Sequence, residues 1–131
     1  MVRFAHCDPA GMVFYPQYLV MLNALVEDWM GEALGSPYAE LVQRDRIGLP
    51  TVSLACEFLA PSLLGEALTL GLSVERLGRS SIQLALGARS GEFIRMRMRQ
   101  SMVVTSLATH RPIELPDSMR ARAERFLIPA Q

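Results

Sequence analysis

The sequence is poor in the residues that build metal clusters, disulfide frameworks and nucleic-acid-binding surfaces. Its 131 residues include two cysteines and two histidines, and the formal net charge is zero. Cys7 and Cys56 cannot make a disulfide framework, and the sequence has neither a zinc-ligand spacing nor a dinucleotide or P-loop fingerprint. A balanced charge argues against nucleic-acid binding. We therefore expect no metal, no cofactor and no nucleic-acid partner.

Long uncharged apolar runs are also missing. The longest apolar stretch, Tyr18–Leu34, contains an asparagine and three carboxylates, which makes it too polar for a membrane span. The first four residues are too short to serve as the apolar region of a signal peptide. We expect a soluble, cytoplasmic protein with no membrane partner, in which residues 1–131 form a single domain.

Lysine is absent, and apolar residues are abundant. All 13 basic residues are arginines, which suit bidentate contacts with phosphate. Half of the residues are hydrophobic and the mean hydropathy is +0.22, a high value for a soluble monomer of this length. Some apolar surface is therefore expected to be buried against another subunit, in a homodimer or a homotetramer.

The apolar pattern changes period along the chain. Tyr18–Leu34 reads as a helix that is apolar on nearly all sides and that must be surrounded, with Gly35 as its stop signal. Before it, Val2–His6 is compatible with a short strand. After it, apolar residues alternate with period two through four strands, which are linked largely by hairpins. This order predicts an α+β fold, with a curved five-stranded antiparallel sheet wrapped around a long central helix.

The segment from His6 to Pro16 carries the most specific chemistry. It places Asp8 in a bend just before the long helix, with Gly11 free to let the backbone approach a ligand. A helix N-terminus offers N–H groups without internal partners, and these can stabilise an oxyanion. A carboxylate beside such donors supplies the base or nucleophile and the oxyanion donors that acyl transfer requires. The alternative for Asp8 is a structural role, as a helix cap or in an Asx-type turn.

Four segments resemble one known family. The first is Asp8-Pro9-Ala10-Gly11-Met12-Val13-Phe14-Tyr15-Pro16-Gln17-Tyr18, which is similar to the signature of the 4-hydroxybenzoyl-CoA thioesterase family of the hotdog-fold superfamily. Three further segments match the family's later turns and tail in the same order, namely Pro61–Glu66, Leu77–Ile82 and Thr109–Pro116. The resemblance therefore spans almost the whole chain and implies the hotdog fold.

The resemblance also assigns roles within the first segment. It implies that Asp8 is the catalytic carboxylate, acting as nucleophile or as general base, and that the backbone N–H of Tyr15 polarises the thioester carbonyl. Gly11, Val13 and Tyr18 are candidates for contact with the substrate, with Tyr18 as pocket wall or packing rather than as a catalyst. The side chain of Tyr15 either belongs to the core or lines the acyl pocket.

Two neighbours of Asp8 invite other mechanisms. His6 lies two residues away and would share a strand face with Asp8, so it is a weaker candidate for a base. Cys7 would point away from Asp8 if the strand continued, and no partner pattern supports a cysteine hydrolase.

Arginines are the candidates for holding the phosphates of CoA. Arg76 and Arg79 flank a turn, and either is expected to contact a phosphate. Arg95, Arg97 and Arg99 form a basic row on one strand, and Arg97 has an alternative partner in Glu75 across the sheet.

The resulting prediction is an acyl-CoA thioesterase, which hydrolyses a thioester to a free acid and CoA without a metal. One alternative is a thioesterase that acts on acyl carrier protein. Another is a hotdog protein that binds acyl-CoA without turnover. The sequence does not specify the acyl group.

Overall fold

The computed structural model describes residues 1–128, and its centre is one long helix lying on an antiparallel sheet. Helix α1 runs Tyr15–Glu32, which is about 27 Å at 1.5 Å per residue. Pro16 lies in its first turn, where the missing N–H costs nothing. At the other end Gly35 has a φ of 65°, and the Ser36 N–H donates to the Met30 carbonyl. This left-handed residue turns the chain away from the helix, as the sequence predicted.

The main sheet has four strands in the order β2-β5-β4-β3, and every neighbouring pair is antiparallel. The strands are β2 Thr51–Phe58, β3 Thr69–Leu77, β4 Ser81–Ser90 and β5 Phe93–Val103. Two hairpins link β3 to β4 and β4 to β5. A separate two-stranded ladder joins β1 Ile47–Gly48 to β6 Thr105–Ser106. The short helices are α2 Tyr38–Gln43 and α3 Asp117–Ala123.

Period-two alternation buries one face of the sheet against α1. The core-facing residues of β4 and β5 are buried, and they meet a stripe along α1 at helical spacing. The α1 stripe consists of Tyr18, Leu22, Val26, Trp29 and Met30. The sheet contributes Ile82, Leu84, Leu86, Ala88, Met96, Met98 and Met102. Helix α3 closes one end of this core with Met119 and Ala123.

The α+β hotdog arrangement is confirmed, but two details of the prediction are wrong. Val2–His6 does not form a fifth strand, because Phe4–His6 makes a turn of 3₁₀-helix instead. Val2 still exchanges backbone hydrogen bonds with Gly65 and Glu66, so the segment touches the fold without joining the sheet. In addition, α1 is covered on one side only, since Val20 remains 61% exposed.

One part of the uncovered apolar surface lies on the β2 side of the molecule. Edge strand β2 pairs with β5 alone among the described strands, and its core-facing Leu54 and Phe58 are about half exposed. None of the helices within residues 1–128 is long and apolar enough to cross a membrane.

Candidate active site

The segment 6–14 folds back on itself as a tight loop. Cys7 and Val13 form an antiparallel bridge, the Asp8 N–H donates to the Met12 carbonyl, and the Phe14 N–H donates to the His6 carbonyl. Gly11 turns the tip with a φ of 77°, a conformation that glycine adopts without strain. The loop thus brings Asp8 next to the chain that enters α1.

The carboxylate of Asp8 uses one oxygen to shape this loop. Oδ1 accepts hydrogen bonds from the N–H of Ala10 at 2.8 Å and from the N–H of Met12 at 3.3 Å. The first bond closes an Asx-type turn. Asp8 does not cap α1, because the residue before the helix is Phe14. Oδ2 makes no hydrogen bond within residues 1–128, so this half-buried carboxylate keeps one free oxygen.

The N-terminus of α1 supplies an unoccupied backbone donor. Tyr15 is the first helical residue, and the N–H groups on either side are engaged or absent, since Phe14 donates to His6 and Pro16 has no N–H. The Tyr15 N–H has no backbone acceptor in the described part of the chain. It is therefore free to donate to a ligand at the positive end of the helix dipole.

A second segment, residues 61–66, holds the loop from outside. The Val13 N–H donates to the Ser62 carbonyl, the Leu64 N–H donates to the Gly11 carbonyl, and Met12 bridges Leu63. Ser62 is fully buried, and its Oγ accepts a 2.6 Å hydrogen bond from the hydroxyl of Tyr18. Tyr18 thereby ties α1 to the segment that supports the Asp8 loop.

An ion pair fixes the same segment to the sheet. Arg95 on β5 donates from Nη1 and Nη2 to the two carboxylate oxygens of Glu66, and its Nη1 also reaches the Pro61 carbonyl. Glu66 in turn accepts from the Leu63 N–H at 2.7 Å. The Leu63 hydrogen bond, followed by the contacts with Arg95, holds the pKa of Glu66 below its ordinary value. Arg95 therefore stabilises the loop support, and it is not a free member of a basic row.

An open cleft of about 270 Å³ lies between the start of α1 and the end of β2. Its walls are mostly apolar, and Tyr15, Tyr18 and Phe58 form an aromatic cluster in it, with the ring centroids of Tyr15 and Phe58 5.8 Å apart. The lining residues are Val13, Tyr15, Tyr18, Phe58, Leu59, Ala60 and Pro61. The predicted residues Val13, Tyr15 and Tyr18 thus share one wall. Asp8 and Gly11 lie in the adjoining loop and not in the cleft wall itself.

Arg76 and Arg79 lie far from this cleft within one subunit. They flank the turn between β3 and β4. This turn lies at the end of the sheet where β2 begins, since Ile82 pairs with Met102 and Met102 pairs with Thr51. The cleft adjoins the opposite end of the sheet, where β2 ends at Phe58. There Phe58 pairs with Met96, and Met96 pairs with Ala88. From Ile82 to Ala88 the strand covers about 20 Å. Both arginines are exposed, and the structure does not bring them to the Asp8 loop of their own chain.

The remaining candidates have structural partners. His6 accepts a hydrogen bond at Nδ1 from the Arg3 N–H, and the Cys7 thiol donates to the Arg3 carbonyl. In the described structure neither side chain bonds to Asp8. Glu75 forms an ion pair with Arg99, in which the Arg99 Nε lies 3.1 Å from a carboxylate oxygen. The alternative pairing of Glu75 with Arg97 is therefore wrong, and the actual partner is two residues further along β5.

The sequence profile of the Thioesterase-like superfamily matches residues 2–123. The chain belongs to this superfamily. The match covers the Asp8 loop, α1, the whole sheet and α3, and it confirms the predicted family and the enzyme class of thioester hydrolases.

Individual relatives agree with the assignment. The chain is 28% identical over 81 residues to 4-hydroxybenzoyl-CoA thioesterase of Pseudomonas sp. strain CBS-3, an alignment that covers 61% of this chain and only 57% of that relative. The gentisyl-coenzyme A thioesterase BH1999 is 27% identical, with a TM-score of 0.82 over 94% of this chain and 95% of that one. The PA5185 protein of Pseudomonas aeruginosa strain PAO1 is 25% identical, with a TM-score of 0.88 over 99% and 90%.

Sequence reasoning missed three polar groups of this region. Ser62 is small and stands in a loop, so nothing in its pattern marks it as buried. Arg95 reads in the sequence as a member of a basic row, and the signal that identifies its partner is Glu66 at the end of the Pro61–Glu66 turn. Gln100 occupies an inward-facing position of β5 between methionines, and a polar residue at a core position is a readable anomaly.

Proposed function

We propose that this thioesterase-superfamily protein hydrolyses acyl-CoA to a free acid and CoA, with Asp8 and the N-terminus of α1 as its catalytic parts. The supporting observation is the loop 6–14, which leads into α1: within residues 1–128 the Oδ2 of Asp8 has no hydrogen-bond partner and the Tyr15 N–H has no backbone acceptor. Two relatives are named as thioesterases of 4-hydroxybenzoyl-CoA and gentisyl-CoA, which supports CoA as the carrier. A thioesterase acting on acyl carrier protein remains the alternative within the same enzyme class.

Two chemical routes fit this arrangement. As a nucleophile, Oδ2 attacks the thioester carbonyl, the CoA thiolate leaves, and water hydrolyses the resulting anhydride. As a general base, the carboxylate takes a proton from water while that water attacks the carbonyl; the tetrahedral intermediate then collapses, and the CoA thiolate leaves and takes up the proton. In both routes the Tyr15 N–H donates to the carbonyl oxygen as negative charge develops on it.

We further propose that a second copy completes the site. The half-exposed apolar side of β2 and α1 needs a cover, and β2 has a backbone edge that no other strand within residues 1–128 pairs with. Antiparallel pairing of two β2 edges sets the start of one β2 against the end of the other. The β3–β4 turn with Arg76 and Arg79 then lies at the same end as the Asp8 loop of the other copy, two to three strand spacings or about 10–14 Å from β2. This geometry gives either arginine a route to a CoA phosphate.

A non-catalytic acyl-CoA-binding protein is the second candidate. It is favoured by one observation, namely that Asp8 lies outside the cleft wall and already uses Oδ1 to close its own turn. On this reading Asp8 is a loop residue and the apolar cleft is a binding site only.

A substrate panel tests the proposal. Purified protein is mixed with aromatic and aliphatic acyl-CoA thioesters and with matching acyl-carrier-protein thioesters, and released thiol is followed. The proposal predicts enzyme-dependent thiol release from at least one acyl-CoA. Binding of acyl-CoA without thiol release would support the second candidate. Release from carrier-protein thioesters alone would replace CoA by the carrier protein.

A further inference from the structure

A second space lies between the sheet and the middle of α1. This second cavity has a volume of about 370 Å³ and is largely apolar. Three polar side chains interrupt its walls, those of Asn23, Thr51 and Gln100. The same three residues line a neighbouring cavity of about 140 Å³ on the side of α2. They therefore form a polar partition between two mainly apolar spaces.

Gln100 is the member of this partition with an unmet requirement. Its side chain is 5% exposed and points to the core side of β5, in the row that otherwise holds Met96, Met98 and Met102. Nε2 donates to the Thr51 Oγ1 at 2.8 Å. Oε1 is buried and has no hydrogen-bond partner within the described residues. A buried carbonyl oxygen without a donor is costly, and in native proteins such a group calls for an explanation.

The position of the partition fits the far end of a bound acyl group. Tyr15 and Asn23 are eight residues apart on α1, which is about 12 Å along the helix axis. Tyr15 and Tyr18 line the first cleft, and Leu19, Val20 and Asn23 line the second cavity. An acyl group that has its carbonyl at the Tyr15 N–H and extends along α1 over this distance reaches the cavity that Gln100 lines.

We propose that Gln100 is a specificity-determining residue, whose Oε1 accepts a hydrogen bond from an O–H or N–H at the distal end of an elongated acyl group. This inference rests on the proposed function and names the substrate class for the same site. The substrate class is a rigid or extended acyl group, about as long as the span from Tyr15 to Asn23 and bearing a terminal donor. A site with a buried acceptor discriminates against an analogue that lacks the donor, because the acceptor is then left unpaired.

Three CoA thioesters on one two-ring skeleton test the proposal. They are biphenyl-4-carbonyl-CoA and its 4′-hydroxy and 4′-methoxy derivatives. The parent compound has no polar group at its distal end, the hydroxy derivative has a hydrogen-bond donor there, and the methoxy derivative has only an acceptor. For the wild-type protein we expect kcat/KM for the hydroxy compound to exceed that of the other two by about tenfold, the value of one neutral hydrogen bond. The variant Gln100→Met, close in shape but without the acceptor, should bring the hydroxy-to-unsubstituted ratio to about one.

A matched control variant tests whether the effect is specific to Gln100. Gln83→Met makes the same change on the opposite face of the sheet, where Gln83 donates to Glu75, and it should keep the wild-type ratio. A wild-type ratio near one, a preference for the methoxy compound, or a preference that survives Gln100→Met overturns the inference. The wild-type ratio decides the matter even if the Gln100 variant fails to fold. Hydrolysis without discrimination leaves the proposed function standing, whereas absence of hydrolysis of every acyl-CoA tested removes both.

Discussion

The hydrogen bond between Tyr18 and Ser62 should carry a measurable part of the stability of the site. Tyr18 is 4% exposed and Ser62 is fully buried, so neither hydroxyl can exchange its partner for bulk water. Tyr18→Phe or Ser62→Ala alone leaves one buried hydroxyl without its partner, which costs about 1–3 kcal/mol in the free energy of unfolding. For a chain of this length that corresponds to a fall in Tm of roughly 3–5 °C per kcal/mol.

A double-mutant cycle isolates the bond itself. The variant with both substitutions removes both hydroxyls and leaves none unpaired, so it should cost less than the sum of the two single changes, by about 1 kcal/mol. Urea unfolding of the four proteins at one protein concentration gives the four free energies, provided that the m-value stays constant. Additive single effects would refute the assignment of a stabilising bond. Turnover by Tyr18→Phe should stay within several-fold of wild type, because its hydroxyl faces Ser62 and is not assigned to the chemistry.

Three further predictions concern charge and assembly. Arg79→Ala should raise KM for an acyl-CoA more than it lowers kcat, since a phosphate contact far from the thioester contributes about equally to the ground and transition states; unchanged KM in both Arg79→Ala and Arg76→Ala would move the phosphate site elsewhere. The depressed pKa of Glu66 contributes stability above its ordinary value of 4.5, and that contribution is lost as the pH falls through the lower folded value. The acid side of the Tm profile should therefore be flatter in Glu66→Gln, and identical acid limbs would contradict this. Light scattering at micromolar concentration should give at least twice the 14.5 kDa of one chain, and a monomer mass would remove the proposed β2 interface.

The regular parts of the fold were predictable because each follows one period. Alternation identified the hairpin strands, and Pro16 and Gly35 bracketed α1 to within three residues. The N-terminal strand failed because Val2–His6 is too short to alternate, and local hydrogen bonds of Phe4–His6 decide its conformation. Such a segment has no periodic signal that can outweigh its local contacts.

The site was predictable only where residues are close in sequence. The motif indicated Asp8 and the helix start as candidates, since both lie within one short segment. Ser62 and Arg95 support that loop from segments about 50 and 90 residues away, and their contacts depend on how the sheet is registered. The position of Arg79 shows the same limit. Its charge suits a phosphate ligand, but the sequence did not reveal at which end of the sheet it lies, because that depends on the strand pairing.

The central claim, that Asp8 performs the hydrolysis, is tested most directly by turnover in Asp8→Asn. Asparagine keeps a carbonyl Oδ1 for the Ala10 and Met12 N–H groups, so the loop and the Tm should be preserved. Asp28→Asn, the same change on the exposed face of α1, is the control and should match wild type in both properties. Because an amide is neither a nucleophile nor a useful base, kcat for a good acyl-CoA substrate should fall by roughly 10²–10⁴-fold in Asp8→Asn. A folded Asp8→Asn protein that retains more than about a tenth of the wild-type kcat would contradict the account.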